Sequence, residues 1–160
     1  MAPSLFFKMY APYAIATQIQ SGVPAAITLA QAALESGWGK YAPGNNFFGI
    51  KDSANDNYHG ANTVQDTTEV INGQKISIKS AFRKYTTPQG SFNDHADFLK
   101  ANSRYNSLFK LDVTDFEAWA KGLKAAGYAT DPDYANKLIT LNNGFNLNQY
   151  TQAAALKKKL

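Results

Sequence analysis

Along most of this chain apolar residues recur three and four positions apart, the period of a helix with one buried face, and in one short region they alternate with polar residues instead. The helical pattern first predicts a helix within residues 4–20, with Pro12 kinking or restarting it and Gly22 ending it. Pro24 suits the first turn of a second helix, whose buried stripe is Ile27, Ala30 and Leu34 and whose end falls at Gly37, a natural residue for the left-handed position past a helix. Residues 38–62, rich in Gly, Asn and aromatics, read as a long loop, and loops of that length inside a small domain are usually functional. The alternating stretches "DTTEVI" and "QKISIKSAFRKY" flank Asn72-Gly73 and predict a β-hairpin with a type I′ turn.

Three more helices are marked by their starts. Ser91 and Asp94 resemble a capping box ahead of Phe92, Ala96 and Leu99; Thr114 and Glu117 form another ahead of Phe116, Trp119, Ala120 and Leu123, closed by Gly127. Asp131-Pro132 opens a last helix carrying Tyr134, Leu138 and Leu141. The expected class is α+β, mostly helical around one antiparallel hairpin.

A length of 160 residues holds one domain with a proper core, expected over 1–150 and followed by a polar, basic tail at 151–160. The formal charge of +4 changes little, because Lys157, Lys158 and Lys159 lie together in that tail. The body is close to neutral, so nucleic-acid binding, which needs clustered basic residues along a face, is not expected. With no cysteine, neither a disulfide nor a thiol is available. The apolar stretch 5–16 is interrupted by Lys8 and Pro12 and lacks a basic flank, so it makes a poor signal peptide, and nothing reaches the length of a membrane span.

The candidate chemistry begins at "LAQAALESGWGKY", where Glu35 ends the most apolar helix of the chain. Burial disfavours its anion, the negative end of the helix dipole disfavours it further, and Trp38 is placed to cover it. A carboxyl held protonated near neutral pH is what general-acid catalysis requires. Lysozyme, whose catalytic acid sits in an apolar pocket against a tryptophan, uses the same arrangement. On these grounds alone a solvent-facing Glu in a last helical turn is an equal alternative, since Glu is a good helix former.

"ITLAQAALESGWG", "NNFFGIK", "TTEV" ahead of a hairpin, "FRKY", "SFNDHADFL" and "GYATDPDYANKLI" follow one another in this order. Together they resemble the peptidoglycan-hydrolysing N-acetylglucosaminidases of glycoside hydrolase family 73, over residues 11–146. The resemblance implies a lysozyme-like fold with a helical lobe and a β lobe flanking a glycan groove. It also implies endo cleavage of the β-1,4 bond on the reducing side of N-acetylglucosamine, with Glu35 as general acid. For the second group that glycoside hydrolysis needs, the resemblance offers Glu69, in "TTEV", and Tyr128, in "GYATDP". Either Glu69 activates water in an inverting reaction, or the substrate's own acetamide attacks with Tyr128 assisting, and both remain open. The ordinary roles are a strand Glu paired with a Lys, and a core tyrosine with a hydrogen-bonded tip.

Trp38, Tyr41, Asn46 and Phe47 are the candidate sugar-binding residues, by stacking and by hydrogen bonds to N-acetyl groups, while Phe48 and Trp119 are assigned to the core. His95 beside Asp94 and Ser91 suggests no hydrolase triad, because capping explains that spacing and a nucleophile elbow is missing. With two histidines and no HExxH no zinc site is expected, and "KDSANDN" breaks the calcium-loop pattern at Ala54. No cofactor and no metal are expected, and the chain is expected to act as a monomer.

One departure from the family pattern is Gly90, where a Glu often precedes Ser-Phe. With no evident signal peptide or wall-binding repeats, a phage lysis or virion-associated enzyme acting on the bacterial wall is one expectation. A muramidase or lytic transglycosylase on the same scaffold, and a non-catalytic wall-binding module, are the rival readings.

Overall fold

The computed structural model describes residues 2–53, 56 and 58–159; Ala54, on which the calcium-loop reading turned, lies outside them. Six helices and one hairpin follow in the order α1 (Pro3–Ser21), α2 (Ala25–Glu35), β1 (Asn62–Ile71), β2 (Gln74–Arg83), α3 (Pro88–Ala101), α4 (Phe116–Ala125), α5 (Tyr134–Phe145) and α6 (Asn148–Lys158). The α+β class, a helical body with a two-stranded antiparallel sheet, is as expected.

Helix α1 passes through Pro12 as one element, so of the expected kink or restart the restart does not occur. Buried Phe6, Phe7 and Ala11 before the proline and Ala14, Thr17 and Gln18 after it fix both halves against the same core, which offsets the lost backbone hydrogen bond. Gly22 ends the helix at φ 82°, as its position predicted.

Helix α2 is the centre of the domain. Every residue from Ala25 to Ala33 is buried, so the expected stripe of Ile27, Ala30 and Leu34 widens to the whole circumference, with α1, α4, α5 and α6 packed around it. Its alanines allow this close approach from all sides. Pro24 stands at its N-cap, where it has no side chain to cap with. The free N–H groups are met from elsewhere: Ala25 N donates to Gln18 Oε1 at 2.8 Å and Ala26 N to Thr151 Oγ1 at 3.0 Å. Thr151 belongs to α6, so the segment read as a polar, basic tail is, through Lys158, a helix that closes the end of the central one. Thr151 and Ala154 are fully buried.

The hairpin forms as predicted. Asn72 and Gly73 both have positive φ, 51° and 77°, as a type I′ turn requires, and the register pairs Glu69 with Ile76. Thr63, Gln65, Thr67 and Glu69 share its half-buried face, and Arg83 N donates to Ile50 O at 3.0 Å where the hairpin joins the body.

Three helix starts differ from their sequence readings. Helix α3 begins at Pro88 with Thr87 Oγ1 accepting from Gly90 N, a turn before the proposed Ser91 and Asp94 box. Those two side chains are used in tertiary contacts: Ser91 accepts from Phe47 N, and Asp94 pairs with Arg83. For α4 the cap is Asp115, accepting from Ala118 N, rather than Thr114. Helix α5 starts at Tyr134, with Asp131 forming the turn before it through Asp133 N.

Candidate active site

A cleft of about 770 Å³ opens between the helical body and the hairpin side. Glu35, Tyr128 and Phe48 line it from the body, and Lys51, Arg83 and Asp94 are among the residues facing them.

Two helix ends set the body side. At the end of α2, Trp38 N donates to Ala33 O at 2.8 Å across Gly37 (φ 56°). At the end of α4, Tyr128 N donates to Leu123 O and Gly127 N to Lys124 O, both at 3.0 Å, with Gly127 at φ 85°. Both are Schellman-type ends, in which a left-handed glycine turns the chain sharply and fixes the next residue. In this way Glu35 is left on the last turn of a rigid buried helix, and Tyr128 is delivered from another helix to the same cleft.

The Glu35 side chain is reached by water but sits in a concavity walled by protein, and this loss of solvent raises its pKa above the ordinary carboxylate value. A hydrogen bond from Tyr134 Oη to Glu35 Oε1, 3.1 Å, works in the opposite direction without reversing the shift. Tyr134 is 2% exposed and accepts in turn from Gln31 Nε2 at 2.9 Å. Gln31 Oε1 lies 2.9 Å from His95 Nε2. Burial pushes the fully enclosed His95 down to about 3, so its ring is neutral, and it stacks on Phe48 with 4.0 Å between centroids. Tyr128 stacks on Tyr134 at 5.8 Å, and burial raises its pKa well above the usual phenol value.

The facing wall is held by Arg83. Its guanidinium donates to Asp94 at 2.8 Å and to Asp56 at 3.0 Å and lies 4.7 Å from the ring centre of Tyr58, while Tyr85 also donates to Asp94. "FRKY" and the Asp of "SFNDHADFL" are therefore partners.

The remaining residues singled out in the sequence are spread more widely. Glu69 accepts from Lys51 Nζ at 2.5 Å, and that hydrogen bond is the main cause of its lowered pKa. Lys51 lines the cleft; Glu69 is not among the lining residues. Trp38 packs edge-on to Phe6, Phe7 and Phe145 and faces a smaller hollow beside α5. Tyr41 is 75% exposed, outside the cleft lining. Asn46 is buried, with its side chain spent on Ile50 N, Ile50 O and Arg83 O, and it ties the loop to β2 instead of facing sugar. Phe47 is 4% exposed among Tyr10 and Phe92, a core position, whereas Phe48, assigned to the core, also borders the cleft. Tyr134, Gln31 and Arg83 were not anticipated. Each left a sequence signal: Arg83 lies in "FRKY", Tyr134 in "GYATDPDYANKLI", and Gln31 is a polar residue one helical turn before Glu35 in an apolar helix.

Among the described residues no cluster of three or more His, Cys, Asp or Glu has metal-binding geometry. A carboxyl with a raised pKa on a rigid helix end, in a cleft between a helical and a β lobe, fits the class of glycoside hydrolases of lysozyme-like build. Solved structures agree. The catalytic domain of the autolysin Auto from Listeria monocytogenes superposes with a TM-score of 0.81 at 30% identity, covering 92% of this chain and 86% of that one. The C-terminally truncated glycoside hydrolase domain of Salmonella typhimurium FlgJ gives 0.73 at 35% identity, covering 91% and 98%.

The family model for glucosaminidase, described as mannosyl-glycoprotein endo-beta-N-acetylglucosaminidase, matches residues 11–147, and the chain belongs to that family. It is 39% identical over 132 residues to the exo-glucosaminidase LytG of Bacillus subtilis, covering 79% of this chain and 45% of that protein. It is 41% identical over 137 residues to the peptidoglycan hydrolase FlgJ of Escherichia coli K12, covering 81% and 42%. The chain thus spans less than half the length of these curated relatives.

Proposed function

We propose that this domain hydrolyses peptidoglycan glycan strands at the β-1,4 bond between N-acetylglucosamine and N-acetylmuramic acid, with Glu35 as general acid. The observation that carries the reading is Glu35 itself, a carboxyl with a raised pKa on a rigid helix end, facing a cleft large enough for sugar rings.

The proposed route is substrate-assisted. Glu35 gives its proton to the leaving glycosidic oxygen as the C1–O bond breaks, and the acetamide oxygen of the N-acetylglucosamine bonds to C1. Water then attacks C1, passing a proton back to Glu35, and the acetamide leaves with β configuration retained. Tyr128 supports this route because it lines the same cleft as Glu35 and offers a phenol to the acetamide. Glu69 carries the second reading, water activation with inversion. What favours that reading is its position next to Lys51, on the half-buried face of the hairpin. The proposal also takes the domain to act as a monomer at the bacterial wall.

Mass spectrometry of purified peptidoglycan digests tests bond choice: new N-acetylglucosamine reducing ends are expected, and muramic or anhydromuramic ends overturn the reading. NMR of the fresh product tests the route. The β-anomer appearing first supports acetamide participation, and the α-anomer first transfers the role to Glu69.

A further inference from the structure

Glu35 has two oxygens, and only one can carry the proton that catalysis uses. We propose that Tyr134, Gln31 and His95 form a buried orienting chain that dictates which: Tyr134 occupies Oε1 as a donor, so the catalytic proton resides on Oε2. This inference rests on the general-acid reading of Glu35.

The direction of the bonds is set at the buried end. His95 is fully enclosed and neutral, so one ring nitrogen donates and the other accepts. Among the described residues Nδ1 has no partner, while Nε2 is 2.9 Å from Gln31 Oε1. A buried lone pair without a partner costs less than a buried N–H without an acceptor, so Nδ1 is left bare and Nε2 carries the hydrogen. With its oxygen so engaged, Gln31 presents its NH₂ to Tyr134 Oη, which accepts at 2.9 Å. The hydroxyl hydrogen of Tyr134 is then free to point to Glu35 Oε1, 3.1 Å away. The reversed arrangement, with the Gln31 NH₂ donating to Nε2, would bury an Nδ1 hydrogen that has no acceptor among the described residues, so the chain runs in the direction given. All three members are buried, with Gln31 and His95 at 0% exposure and Tyr134 at 2%, so water does not compete for the bonds among them.

An oxygen already accepting from Tyr134 is the poorer place for the carboxyl hydrogen. Oε2 accepts nothing from the described residues and belongs to a side chain that lines the cleft. The chain thus sets the direction of proton delivery and stabilises the carboxylate once the proton has left. Tyr134, Gln31 and His95 are positioning residues, with only Tyr134 touching Glu35.

Tyr134→Phe, Gln31→Met and His95→Phe, which keeps the stack on Phe48, test the chain beside wild type and Glu35→Gln on purified peptidoglycan. Tyr134→Phe is expected to lower kcat about tenfold with KM unchanged. Losing the donor also raises the Glu35 pKa, so the basic limb of the kcat profile moves to higher pH by about one unit. Gln31→Met and His95→Phe should show the same two effects in decreasing order. The other titratable groups around Glu35 stay in place in Gln31→Met and His95→Phe: Tyr128 on the body side, and across the cleft Arg83 with its partners Asp56 and Asp94. Lys51, His59, Tyr58, Asp97, Arg104 and Tyr105, further along the walls, are also unchanged. Packing damage alone predicts lower melting temperatures with an unmoved limb, and that result overturns the chain. So does an unmoved limb in Gln31→Met and His95→Phe if Tyr134→Phe fails to fold. An inert wild type, or a fully active Glu35→Gln, defeats the general-acid reading itself; an active wild type, a dead Glu35→Gln and three unaffected variants defeat the orienting chain alone.

Discussion

The two carboxylates offered by the sequence sit in opposite surroundings. Glu35 ends a helix buried on every side, accepts one bond from a buried phenol and has a raised pKa. Glu69 lies on a two-stranded ribbon, accepts from the ammonium of Lys51 and has a lowered pKa. One environment favours the protonated carboxyl and the other favours the carboxylate, so two identical functional groups are biased in opposite directions. The helical lobe supplies rigidity and partial desolvation. The hairpin, with Val64, Val70 and Ile71 exposed, supplies a wall with little core of its own.

The sharpest way to break this contrast is to neutralise each acid. Glu35→Gln should lower kcat by about 100-fold or more while wall binding persists, as expected for loss of a general acid. If Glu69→Gln, assayed on the same peptidoglycan, causes an equal loss, the substrate-assisted route fails and the hairpin acid is the base. A loss below about tenfold leaves the chemistry in the helical lobe.

Stability should divide along the same line. Leu29→Ala, at a fully buried site on α2, should cost about 3 kcal/mol in urea unfolding, a typical loss for a cavity of that size. Val70→Ala, at a side chain 68% exposed, should stay within about 0.5 kcal/mol. Comparable losses from the two would mean that the hairpin contributes a core of its own.

The smallest effect concerns pH. Because the folded-state pKa of Glu35 is raised, its contribution to stability is fully present below the unfolded carboxylate value and is lost as pH rises through the folded one. Glu35→Gln should therefore melt at the same temperature as wild type in acid and at a higher temperature at neutral pH. A melting temperature for Glu35→Gln below that of wild type at neutral pH would show that the carboxylate is stabilised where it sits.

Much of this was readable in local chemistry. Asn72-Gly73 specified its turn because few residues tolerate positive φ at two successive positions. Gly22, Gly37 and Gly127 marked helix ends for the same reason, and Gly37 with Gly127 thereby located Trp38 and Tyr128. Glu35 stood out because an acid at the end of an apolar helix is costly unless it is used. The six ordered motifs carried the family.

What the sequence left open was settled by contacts between distant residues. Ser91 and Asp94 have the spacing of a cap, but the core claims Ser91 for Phe47 N and the cleft wall claims Asp94 for Arg83. Asn46 and Phe47 lie beside the acid in sequence, yet the loop folds inward and buries both. The α2 start, with a proline where a capping side chain belongs, is completed by Gln18 and Thr151, and that requirement turns an apparent tail into α6. Local pattern determines where helices and turns form, because it acts through backbone geometry over a few residues. Which polar groups meet, and so which oxygen of Glu35 accepts from Tyr134, depends on how buried donors and acceptors from separate elements are satisfied together.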